Sequence, residues 1–160
     1  MSLQRFHRAQ AGNGSGYADA LEEIRAGRKS GHWVWYVFPQ IEGLGRSRTA
    51  QEYGLHGFAE AEEYLRDPVL RGRYLEIAQA AEEQLANGVS LERLMGSATD
   101  ALKLVSSLTL MRAAGRGMAV AESDSAFAQL AQVTGAMLAL TTAQGYPPCA
   151  FTLERIAARK

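Results

Sequence analysis

Apolar side chains recur at helical spacing along most of this chain. The clearest run is Leu70, Tyr74, Ile77, Ala78, Ala81 and Leu85, which keeps one face apolar until Asn87-Gly88. Asp67-Pro68 opens it with a capping side chain and a proline at the first helical position. Upstream, Leu3 to Ala11 reads as a helix with Ser2 as its cap, and Gly12 to Gly16 breaks it with a glycine-rich loop. Tyr17, Ala20, Leu21 and Ile24 then mark a second helix, with acidic residues opposite and Gly27 placed to end it. Ser47 to Tyr53, the stretch around Phe58, Ala61, Tyr64 and Leu65, and Ser90 to Met95 supply shorter helices. Asp100 to Ala114 is apolar on nearly all sides, as expected of a central helix. A last long helix carries Phe127, Leu130, Ala131, Thr134, Met137, Leu138 and Thr141 on one face, and Phe151 to Ala158 adds a final turn or two.

The run His32-Trp33-Val34-Trp35-Tyr36-Val37-Phe38-Pro39 does not declare its period. Its aromatic and β-branched content suits a strand. No second convincing strand exists for it to pair with, so a short buried helix ended by Pro39 is predicted. The pattern therefore predicts an all-α fold: a compact bundle of about seven to nine helices, many short, in a single domain spanning residues 1–160.

Composition narrows the function classes. The chain has 17 basic and 17 acidic residues, a formal net charge of zero, which argues against a nucleic-acid partner. Its one cysteine, Cys149, can form no intrachain disulfide. No stretch approaches the roughly 18 apolar residues of a membrane span, and the N-terminus lacks a signal-peptide core, so a cytoplasmic location and no membrane partner are expected. His7, His32 and His56 sit at no standard ligand spacing, so no metal is expected, and no cofactor motif is present.

Three stretches carry a resemblance: Leu3-x-Arg5-Phe6-x-x-Ala9-Gln10; Gly27-Arg28-Lys29-Ser30-x-His32-Trp33-x-Trp35-x-x-Phe38-Pro39-Gln40-x-x-Gly43-Leu44-Gly45-Arg46-Ser47; and Lys103-x-x-Ser106-Ser107-x-Thr109-Leu110. Together with Tyr64-Leu65-x-x-Pro68-Val69-Leu70 they resemble the domain-of-unknown-function family 1810, small helical proteins found mainly in bacteria. The likeness covers about residues 2 to 112, and the C-terminal part from about 113 diverges. Gly31 stands where the family usually shows serine. The resemblance implies an all-helical fold and brings no established activity. Some members carry a calpastatin-like label, but such inhibitors are largely disordered, and the apolar faces here are those of a globular chain.

Lys103, Ser106, Ser107 and Leu110 fall at i, i+3, i+4 and i+7, one stripe of a helix. An amine beside two hydroxyls suits a lysine that activates a serine, or a cationic clamp for phosphate or carboxylate. The plainer alternative is a lysine reaching solvent while both serines bond back to helix carbonyls. His32, Trp35 and Gln40 form a second group: an aromatic to stack on a ring, with polar groups to read its edge. Its plain alternative is core packing. Gly43-Leu44-Gly45-Arg46-Ser47 leads into a helix and adds Arg46 and Arg48, with Arg28 and Lys29 upstream.

The ligand site expected from these stretches comprises Gln10, His32, Trp35, Gln40, Arg46, Lys103, Ser106 and Ser107. Its partner would be a small anionic or nucleotide-like molecule, with Lys103 as counter-charge and Trp35 as stacking face. His32, Lys103 and Ser106 are the candidate catalytic groups, a histidine being suited to proton transfer near neutrality. An interaction module without chemistry is the competing class. It requires Trp33, Trp35 and Phe38 to form an exposed flat patch rather than line a cleft with Lys103.

Overall fold

Ten helices and no strand make up residues 2–159, which the computed structural model describes. They are α1 (Gln4–Gln10), α2 (Tyr17–Arg25), α3 (Val34–Val37), α4 (Arg48–Tyr53), α5 (Gly57–Arg66), α6 (Pro68–Ala86), α7 (Leu91–Met95), α8 (Ala98–Glu122), α9 (Ser125–Ala143) and α10 (Ala150–Ala158). The expected all-α architecture is the one observed.

Local chemistry sets most boundaries. The Asp67 carboxylate accepts from the amides of Val69 and Leu70, while Ser47, Ser90 and Ser97 accept from the amide three residues on and so open α4, α7 and α8. The apolar run at 34–37 is the short helix α3, and Phe38 leaves it in a non-helical conformation ahead of Pro39.

α8 is the axis of the molecule. It buries Ala101, Leu104, Val105, Leu108, Leu110, Met111, Ala114 and Met118 on several faces. It also runs past the expected end at Ala114, because Gly115 is a packing position and not a stop. A Cβ there would meet a Leu130 side-chain carbon at 3.1 Å and the Phe127 carbonyl at 3.3 Å, so the missing side chain lets α9 lie close against α8.

α9 corrects one expectation from the sequence. It carries no charged residue and reaches a mean hydropathy of 1.2, so by length and composition it could cross a membrane. Here it packs on α8 and α6, burying Phe127, Leu130, Val133, Met137 and Leu138.

A line of rings ties the N-terminal half together. Phe6 meets Tyr64 edge-on at 5.2 Å, Tyr64 meets Tyr74 at 6.4 Å, Tyr74 meets Phe38 at 5.5 Å, and Phe38 leans on Trp33 at 6.2 Å. Such pairs contribute about 0.5–1.5 kcal/mol each beyond burial. They anchor α1, α5 and α6 to one another and to the two ends of α3. The segment after α3 returns on itself: the Leu55 amide donates to the Gln40 carbonyl and the Glu42 amide to the Leu55 carbonyl, both at 2.9 Å. That single bridge closes residues 41–55 into a loop bearing α4.

Candidate functional site

Between this closed loop and the first turns of α8 lies an open cleft of about 500 Å³. Trp35 and Gln40 form its inner end. Leu44, Gly45, Arg46, Ser47 and Ala50 form one wall, and Thr99, Leu102, Lys103 and Ser106 the other. The wall-forming loop is pinned by the 40–42/55 bridge, and the opposite wall is the capped start of α8.

The polar machinery centres on Lys103. Its Nζ lies 4.9 Å from the ring centroid of Trp35, a cation–π contact, and donates to Asp100 Oδ1 at 3.2 Å. The second oxygen of Asp100 takes a 2.6 Å bond from Lys29, whose side chain is 5% exposed. Lys29 also donates to the Gly31 carbonyl at 2.6 Å and stands 5.2 Å from the Trp33 ring. Two ammonium groups therefore share one carboxylate. Burial pushes the Asp100 carboxyl up, but the bonds and charges of both lysines outweigh it and hold it below the ordinary carboxylate range.

Lys29 is delivered by backbone docking. Its amide donates to the Leu94 carbonyl at 2.8 Å. Gly96, in the left-handed conformation (φ +85°) that ends α7, lies where a Cβ would come 3.0 Å from the Lys29 carbonyl. Glu23 fixes the next turn. Its Oε1 accepts from the amides of Ser30 (2.7 Å) and Gly31 (2.8 Å) and from Trp33 Nε1 (2.9 Å). Burial works against the charged form of Glu23, yet these donors and Lys29 hold the carboxyl below its usual value. At Gly31 a Cβ would stand 3.0 Å from Trp33 Cδ1 and 3.1 Å from Glu23 Oε2, so the loop is tight there.

Of the eight residues named from the sequence, Trp35, Gln40, Arg46, Lys103 and Ser106 line this cleft. Gln40 is only 9% exposed and stands at the inner end of the cleft. Ser106 bonds back to the Leu102 carbonyl at 2.9 Å. The other three are elsewhere. Gln10 is buried, donating to the Tyr36 carbonyl (2.8 Å) and Tyr64 hydroxyl (3.1 Å) and accepting from Arg73 (3.2 Å). Ser107 is fully buried against the Tyr74 hydroxyl at 2.9 Å. His32 is exposed and does not line the cleft, and the catalytic trio His32, Lys103 and Ser106 is not assembled there.

Lys29, upstream of the glycine loop and a candidate to add its charge there, is instead the buried partner of Asp100. Asp100 itself was missed, although its position three residues before Lys103 on one helix is a readable ion-pair signal. The aromatic run forms no flat patch: Trp33 and Phe38 are fully buried, and Trp35, half-buried, lines the cleft with Lys103. Among the described residues no group of three or more histidine, cysteine or acidic side chains could hold a metal ion.

The fold and cleft define a small helical protein built around one central helix with a cationic cleft at its start. The chain belongs to the DUF1810 family of proteins of unknown function, whose model matches residues 1–138. It is similar over 98% of its length to the crystal structure of the conserved hypothetical protein Rv1873 from Mycobacterium tuberculosis, with 35% identity, a TM-score of 0.74 and 97% of that chain covered. No curated protein matches it.

Proposed function

We propose that this protein binds a small anionic ligand, nucleotide-like or simpler, in the cleft between α8 and the 41–55 loop. The observation that carries the reading is the charge of the lining: Lys103 and Arg46 line it, and no carboxylate among the described residues does. Asp100, behind the wall, is divided between Lys103 and Lys29, so it does not fully offset Lys103. Gln40 supports the same reading, because a side-chain amide at the inner end of the cleft offers both a donor and an acceptor to a ligand's polar edge. Trp35 offers a stacking face. The volume is that of an ordinary small-molecule site, about 300–1,000 Å³. A cytoplasmic location accompanies this reading, supported by the single cysteine.

Thermal shift against a panel of nucleotides, sugar phosphates and organic acids tests it, with Lys103→Ala alongside. A ligand present at about 100 times its dissociation constant adds about 2.7 kcal/mol of stability. The expected result is at least one anion that raises Tm in the native protein and not in Lys103→Ala. A flat panel, or a hit indifferent to Lys103, would overturn it.

A further inference from the structure

We infer that the ligand class of this cleft is an amphipathic monocarboxylate, a flat or branched apolar body bearing one carboxylate, and not a nucleotide or other polyphosphate. The inference rests on the anion-site reading above and goes one step past it.

The walls are the first argument. Trp35, Leu44, Ala50 and Leu102 dominate the lining. Leu102 is 56% exposed, one of four large apolar side chains left in solvent among the described residues, and of those four it alone lines this cleft. An apolar face exposed beside a cation is complementary to a ligand that is itself half apolar and half anionic.

Charge and donors are the second argument. Polyphosphates are held by rings of free backbone amides, most often at a helix N-terminus. Two helix starts border the cleft, and in each the capping serine already takes one of the first-turn amides. Ser97 accepts from the Asp100 amide at the start of α8, and Ser47 from the Ala50 amide at the start of α4. Asp100 also places a carboxylate in the first turn of α8, behind the cleft wall, and its charge opposes a polyanion at that helix start. That leaves Lys103, partly spent on Asp100, and Arg46, exposed at the rim. Such a set matches one negative charge. Gln40 adds a neutral donor–acceptor at the inner end.

The test is isothermal titration of the full chain with 2-naphthoate, its neutral isostere 2-naphthamide, and AMP. Lys103→Met and Leu102→Ser are titrated in parallel after circular dichroism has shown native helix content. The expected result is naphthoate binding at least tenfold tighter than naphthamide and tighter than AMP. In Lys103→Met the naphthoate preference disappears while naphthamide affinity holds, and Leu102→Ser weakens both naphthyl ligands alike. AMP binding tighter than naphthoate, with dependence on Lys103, would overturn this ligand class and leave the anion site standing. Equal affinity for naphthoate and naphthamide would overturn the charge argument. Failure of every anion, in this titration and in the thermal panel, would remove both readings together.

Discussion

Lys29 Nζ and Asp100 Oδ2 lie 2.6 Å apart although 71 residues separate them in sequence. The contact joins the loop after α2 to the first turn of α8, and it sets where Asp100 stands behind the cleft wall and, through it, where Lys103 stands in that wall. Asp100→Asn would leave the Lys29 ammonium buried without its counter-charge. Breaking a buried pair from one side costs about 3–5 kcal/mol, so Tm should fall by roughly 10 °C in a chain of this size. Lys29→Met should cost less, because Asp100 keeps Lys103. A Tm within a degree or two of native for Asp100→Asn would show that the pair does not hold this wall.

The same pair gives a pH dependence with a definite sign. Asp100 has a depressed folded-state pKa, so its contribution is fully present above the unfolded carboxylate value near pH 4 and is lost as pH falls through the lower folded value. The stability gap between native protein and Asp100→Asn should therefore be constant from about pH 5 to 7 and shrink below about pH 4. Urea unfolding across that range measures it. A gap that widens on acidification would contradict the assignment.

Glu23 makes a separable prediction, since its Oε1 serves three donors at once. Glu23→Gln keeps an acceptor oxygen there and should cost under about 1 kcal/mol. Glu23→Ala strands Trp33 Nε1–H in a fully buried side chain and should cost about 2–3 kcal/mol, with a change in tryptophan fluorescence. Equal costs for the two variants would show that the carboxylate's charge, and not its acceptor role, supports the turn.

These residues also mark what was legible in the sequence. The helices followed from apolar periodicity because each is an independent local signal. Lys103, Ser106 and Ser107 were grouped by the helical period, which puts all three on one stripe. The period does not say that Tyr74 of α6 covers the Ser107 side, so one serine faces the core and the other the cleft. The Lys29–Asp100 pair, the docking of Lys29 on α7 and the 40–42/55 bridge are contacts between distant segments with no local signature. The run of α8 past Ala114 is of the same kind: glycine weakens a helix locally, and only the presence of α9 makes Gly115 a packing position.

Cys149 precedes α10, where its amide donates to Thr109 Oγ1 at 3.0 Å. Burial raises its thiol pKa, but the hydroxyls of Ser106 and Thr152 and the amides of Thr152 and Phe151 outweigh burial and leave it below the ordinary thiol value. The thiolate fraction should then rise at lower pH than for a free cysteine. Iodoacetamide labelling followed by mass spectrometry should show a midpoint shifted to lower pH in the folded chain relative to the urea-unfolded chain. Coincident midpoints would refute it.

Thr152 supplies the last prediction. Its side chain is fully buried, and its Oγ1 has no hydrogen-bond partner of good geometry. A buried hydroxyl in that condition carries a desolvation cost of about 1–3 kcal/mol, and removing the polar atom while keeping the shape relieves it. What the hydroxyl does offer is support for the Cys149 thiolate, to which it is one of the contributing groups. Thr152→Val should therefore do two things at once. It should leave stability equal to native or raise it by about 1 kcal/mol, and it should move the Cys149 labelling midpoint to higher pH. A marked loss of stability would mean that the hydroxyl is well satisfied in solution. An unmoved midpoint in a stable variant would mean that Ser106 and the α10 amides account for the thiolate without it.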